Sequence, residues 1–64
     1  MVKINGKEEN AAGLSVMAWL QKAGFSPDVV VVERNLEIIP RECLETTVLE
    51  DGDSVEVLRF VGGG

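Results

Sequence analysis

One stretch of this chain is patterned for a helix, and almost everything around it is patterned for strands. Val16, Trp19, Leu20 and Ala23 recur at i, i+3, i+4 and i+7, the spacing that lines apolar side chains along one helical stripe. Ser15 precedes the stripe, where an N-cap hydroxyl accepts from an unpaired N–H of the first turn. Ala18 stands at the third helical position, so the cap lacks the reciprocal acid of a capping box. Lys22 suits the negative end of the helix dipole, and Gly24 suits the left-handed residue that ends a helix. Leu14 is placed to pack back onto the first turn as a hydrophobic staple. A single apolar stripe cannot bury itself, so the strands must supply the surface that covers it.

Val2-Lys3-Ile4 alternates, and Asn5-Gly6 follows, a dipeptide that tolerates φ > 0 at both centres of a tight hairpin. Lys7 to Ala11 returns as a polar, charged strand, which suits a sheet edge that must not pair with other chains. After Ser26-Pro27-Asp28, the run Val29 to Val32 is β-branched throughout and too short for a helix. It reads as a strand covered on both faces, or covered on one and lightly exposed on the other. Arg34 to Glu37 makes the next turn. Asn35 is expected to take the left-handed conformation there, with a bulge, because φ > 0 is costly for Leu36. Glu37-Ile38-Ile39 returns, and Pro40 stops the strand for want of an N–H. Pro40 to Leu44 is expected to form one helical turn with proline leading. Glu45 to Leu49 is irregular or a short strand, with Val48 and Leu49 expected inside. Asp51-Gly52-Asp53 is a turn, and Ser54 to Phe60 is an apolar final strand suited to the middle of a sheet.

The order β-β-α-β-β-β fits a two-layer α+β domain, a mixed sheet packed against one α-helix. The first and last strands pair in its middle, parallel, because the connection between them carries the helix. That is the β-grasp, or ubiquitin-like, architecture. Residues 1–60 are expected to form this domain and residues 61–64 a flexible glycine tail.

A chain of 64 residues makes one domain that buries only about 60% of its unfolded surface. An enclosed pocket of roughly 300 Å³ or more would consume much of such a core. The chain has no histidine and a single cysteine, Cys43, so zinc-type spacing and Ser-His or Cys-His nucleophile pairs are absent. No glycine-rich phosphate loop occurs. The expectation is therefore a protein that is not an enzyme, binds no metal or cofactor, and relies on the catalytic groups of another protein. Eleven acids against six bases give a net charge of −5, the wrong sign for nucleic acid. No apolar run approaches the ~20 residues of a membrane span. Met1 to Asn5 contains no apolar signal segment, and one cysteine fits a reducing cytoplasm. Cys43 itself reads as a small buried hydrophobe.

Val61-Gly62-Gly63-Gly64 contributes nothing to a core, since glycine loses the most entropy on ordering and buries no side chain. A glycine tail does carry its own α-carboxylate well. Four extended residues reach roughly 13 Å and can thread a slot that a Cβ would block. An α-carboxyl titrates near ~3.3–3.7, so Gly64 is ionised at neutral pH. If Val55 and Val57 face the helix, alternation turns Glu56, Leu58 and Phe60 outward beside the tail. Leu58 or Phe60 would then mark a docking patch for a partner, with Arg59 available to pair with a partner's acid. A tail that must enter another protein is expected on a monomer.

Asn5-Gly6, Val32-Glu33-Arg34-Asn35, Ile39-Pro40-Arg41-Glu42, Asp51-Gly52-Asp53 and the closing Val-Gly-Gly-Gly occur in that order on one short chain. In this the whole sequence resembles the thiamine-biosynthesis sulfur carrier (ThiS) family. At Cys43 it departs from the family pattern, where a bulky residue is common; that bears on packing more than on function. The resemblance implies that a ThiF-type adenylyltransferase uses ATP and Mg to make a glycyl-adenylate at Gly64. A cysteine-derived persulfide then supplies the sulfur that displaces AMP, and a ThiG-type thiazole synthase takes sulfur from the resulting thiocarboxylate. Gly63 and Gly62 accompany Gly64 into the partner's site. Alternatives of similar shape are a carrier for molybdopterin, cysteine or methionine synthesis, a ubiquitin-like modifier, and a non-covalent interaction module.

Overall fold

Ser15 and Gly24 bound the helix as their chemistry dictates. The Ser15 hydroxyl accepts from the Ala18 N–H at 3.0 Å, and Gly24 closes helix α1 (Val16–Ala23) at φ 88°. The computed structural model describes residues 1–59. The expected boundary between domain and tail, and residues 61–64, lie outside the described residues. The five strands are β1 (Val2–Ile4), β2 (Lys7–Glu9), β3 (Val30–Arg34), β4 (Glu37–Ile39) and β5 (Ser54–Arg59). They form a sheet in the order β2-β1-β5-β3-β4. Polar β2 is an edge strand, and β5 lies in the centre, parallel to β1 and antiparallel to β3. This is the expected mixed sheet with one helix across it.

The core forms where the strand alternation meets the helix stripe. Val2 and Ile4, Val30 and Val32, and Val55 and Val57 point inward from three neighbouring strands onto Val16 and Leu20, with Ala11, Leu44 and Leu49 closing the sides. Each fully buried Val or Leu contributes about 1.5–3 kcal/mol of transfer free energy. Several expectations are corrected. The valine run follows the second of its two readings, covered on one face with Val31 half-buried on the other, but Val29 stands exposed in a short 3-10 turn before β3 rather than in the strand. The helix stripe ends early: Ala23 is exposed and Trp19 only half-buried. Phe25, two residues past the helix, packs on the core beside Trp19, its N–H donating to the Leu20 carbonyl at 2.9 Å. Val48 is 48% exposed while Leu49 is inside. Leu49 exchanges backbone bonds with Leu14 and Gly13 at 2.8 Å each, which fixes it facing α1 and turns its neighbour outward. Cys43 is half-buried rather than core.

The β3–β4 turn also differs. Asn35 and Leu36 are both left-handed, at φ 51° and 72°, and the ladder runs without a bulge through Arg34↔Glu37, Glu33↔Ile38 and Val32↔Ile39. The turn is held from across the sheet. The Asn35 N–H donates to the Ser54 carbonyl at 2.7 Å, and its side-chain oxygen accepts from the Ser54 N–H at 3.0 Å.

Candidate functional site

Strict alternation on β5 divides its side chains between two faces. Val55 and Val57 are in the core, and Glu56 and Leu58 lie on the open face of the sheet. Leu58 is 51% exposed, as its place in the alternation predicts. Its cross-strand partner is Val31, and Ile38 on β4 shares the same open face at 64% exposure. Glu33 stands opposite Glu56 in the β3·β5 register, next to this apolar strip. Like charges directly opposite one another are destabilising in a sheet and are better accommodated against a basic surface. The open face is therefore apolar along Leu58, Val31 and Ile38 and acidic beside them. It suits a partner that presents an apolar surface with basic groups at its margin.

The end of β5 that leads towards the C-terminus is held from three elements. On one side, Val30 pairs with Arg59 at the first residue of β3. On the other, β1 has already turned away at Asn5-Gly6, yet Asn5 continues its ladder. The Asn5 N–H donates to the Val55 carbonyl at 2.9 Å. Its side-chain oxygen accepts from the Val57 N–H at 2.8 Å, and its side-chain nitrogen lies 3.4 Å from the Val57 carbonyl. From the helix side, the Arg59 guanidinium carbon sits 5.7 Å from the centre of the Phe25 ring. That ring stacks on Trp19 with centroids 5.9 Å apart. Arg59, exposed on this strand, thus has a cation–π partner within the chain. Arg41 likewise meets Asp28 at 3.3 Å and the Asp28 carbonyl at 3.0 Å.

Phe60, Gly62, Gly63 and Gly64 lie outside the described residues, so Leu58 and Arg59 are the only sequence-derived site residues whose surroundings are described. Sequence reading missed the roles of Asn5, Phe25 and Ile38. Asn5 was visible only as a turn former, and nothing local shows that its amide meets a residue 52 positions away. No group of three or more metal-ligating side chains occurs among the described residues. A hollow of about 220 Å³ beside β4 has Arg41 as its one charged lining residue, and that residue already meets Asp28. No described helix is long and apolar enough to cross a membrane.

Comparison with known proteins bears on what this arrangement serves. A sequence model described as the ThiS family matches residues 2–64. The sulfur carrier protein ThiS of Bacillus subtilis is 34% identical, with all of both chains covered. The crystal structure of a thiamine biosynthesis protein (ThiS) from Geobacter metallireducens superposes with a TM-score of 0.77 at 36% identity, covering 98% of this chain and 97% of the other. A thiazole synthase of Paramagnetospirillum magneticum is 44% identical over 95% of this chain, but the match takes up 19% of that protein. The chain thus spans about a fifth of the length of the thiazole synthases it matches.

Proposed function

We propose that this chain, which belongs to the ThiS family of thiamine-biosynthesis sulfur carriers, offers its Gly64 carboxylate to a partner for activation and then carries sulfur there as a thiocarboxylate. The observation that carries this reading is a family match running to Gly64 on a domain whose central strand, β5, leads directly into the glycine tail.

A ThiF-type adenylyltransferase supplies the chemistry that the chain lacks. With Mg-ATP it joins a Gly64 carboxylate oxygen to the α-phosphate and releases pyrophosphate. The terminal sulfur of a cysteine-derived persulfide then displaces AMP to give an acyl disulfide, and a second thiol reduces its S–S bond, leaving the thiocarboxylate on Gly64 and a disulfide on the donor. A ThiG-type thiazole synthase accepts the sulfur; the relatives named thiazole synthase that contain a stretch like this chain support that pairing. Gly63 and Gly62 lack the Cβ atoms that would keep the terminus out of a narrow site, where near-attack geometry tolerates little displacement. Leu58, with Val31 and Ile38 beside it, gives the partner an apolar surface to dock on, and Phe60, two residues further along the sequence, is a second docking candidate. The carrier acts as a monomer, and the cytoplasm is the setting that suits its lone cysteine.

The test is intact-mass measurement after incubation with the cognate adenylyltransferase, Mg-ATP and a sulfide source. The expected product is heavier by one oxygen-to-sulfur exchange. Deleting Gly64 is expected to abolish that product while leaving the unfolding midpoint unchanged; sulfur uptake by the truncated chain would overturn the assignment. Leu58→Asp is expected to raise KM for adenylation with stability changed by less than about 0.5 kcal/mol, as for an exposed site. An unchanged KM would remove Leu58 from the docking surface.

A further inference from the structure

We infer that Asn5 is a positioning residue for the C-terminal carboxylate: its side-chain amide clamps β5 at Val57 and so fixes the direction from which the tail is presented. The inference deepens the reading of Gly64 as the activated terminus and rests on it. The parallel β1·β5 ladder needs a backbone acceptor opposite the Val57 N–H. The chain has entered the hairpin turn there, with Asn5 at φ 52° and Gly6 at φ 83°, so the backbone of β1 cannot supply it. The Asn5 side chain does so instead, accepting at 2.8 Å and approaching the Val57 carbonyl at 3.4 Å. It touches β5 two residues before Arg59, at the end from which the tail departs. Without it, β5 beyond Val55 would be paired only to β3.

A second clamp of the same kind supplies an internal control. Asn35 grips the Ser54 N–H at 3.0 Å and Asp53 Oδ1 at 3.2 Å, at the opposite end of the same strand. Both asparagines are left-handed turn residues, so Asn5→Gly and Asn35→Gly each remove a clamp without straining the turn. A merely structural role predicts the same consequences for both variants. A positioning role predicts that only Asn5→Gly disturbs the reaction.

The experiment compares wild type, Asn5→Gly, Asn35→Gly and Asn5→Asp, which keeps the acceptor for Val57. Amide hydrogen exchange at Val57 and Arg59 is expected to accelerate in Asn5→Gly and to stay at the wild-type rate in Asn35→Gly. Pyrophosphate release with the cognate adenylyltransferase and Mg-ATP is expected to fall roughly 10- to 100-fold for Asn5→Gly, mainly in kcat, as for a displaced reacting group. Asn35→Gly is expected to stay near wild type and Asn5→Asp to recover most of the rate. Equal losses in the two glycine variants would overturn the positioning role, as would an unaltered kcat in Asn5→Gly. Unchanged exchange at Val57 would remove the clamp itself. Failure of the wild type to release pyrophosphate would strike the functional reading alone, and the exchange measurement would still decide the clamp.

Discussion

The β1–β2 and β3–β4 hairpins are built on the same plan and flank the same strand. Each has a two-residue turn with both residues left-handed, Asn5-Gly6 in one and Asn35-Leu36 in the other. Each sends its asparagine amide across to β5, one near the end of that strand and one at its start. Each also supplies two inward side chains to the core, Val2 and Ile4 from β1 and Val30 and Val32 from β3. They part company at the second turn residue. Glycine takes the left-handed conformation freely, whereas leucine does so at a cost of about 1–2 kcal/mol. Leu36 recovers none of that cost by packing, since it is 93% exposed. The first turn is written in its own dipeptide. The second is imposed by Asn35 and the ladder around it, which hold Leu36 in a conformation it would not choose.

If the two hairpins are equal anchors, truncating the core of either must be severe. Ile4→Ala is expected to lower the unfolding free energy by about 2–5 kcal/mol. Val32→Ala is expected to lower it by about 1.5–3 kcal/mol, the transfer free energy of a buried valine side chain. Urea denaturation measures both. A small loss in one variant beside a large loss in the other would mean that only one hairpin is tied to the core.

A smaller effect is expected where the plans diverge. Gly6→Leu gives the first hairpin the second one's sequence, and it should cost about 1–2 kcal/mol in the same assay, the left-handed penalty for a residue with a Cβ. Nothing lies within 4 Å of a Cβ built at Gly6, so the loss would be conformational rather than steric crowding. A neutral outcome would mean that a leucine in the left-handed position carries no such cost in this turn, and the contrast drawn between Gly6 and Leu36 would fall.

Local chemistry was enough for most of the fold. Asn5-Gly6, the Ser15 cap, Gly24 and the strand alternation each carry their own signal, and the helix-bearing crossover required the parallel pairing of β1 with β5. What could not be read locally depends on contacts far along the chain. Leu36 is left-handed because of Ser54, and Val48 is exposed because Leu49 is tied to Leu14 and Gly13. Arg59 is engaged because the helix ends in a turn that delivers Phe25 to it. The outward Leu58 was legible from period-2 alternation. The clamp at Asn5 was not, because an amide that forms a turn and an amide that also grips a distant strand look identical in sequence.

The smallest expected change is the reverse substitution, and its sign is the informative part. Leu36→Gly turns Asn35-Leu36 into the Asn-Gly pair of the first hairpin. It relieves about 1–2 kcal/mol of left-handed strain, and the freer unfolded chain takes back about 0.5–1 kcal/mol. No packing is lost at so exposed a side chain. The net expectation is a gain of about 0.5 kcal/mol, or an unfolding midpoint raised by about 2–4 °C for a domain of this size. Thermal denaturation by circular dichroism resolves such a shift. A drop instead of a rise would mean that Leu36 is not strained, and that the two turns differ in sequence alone.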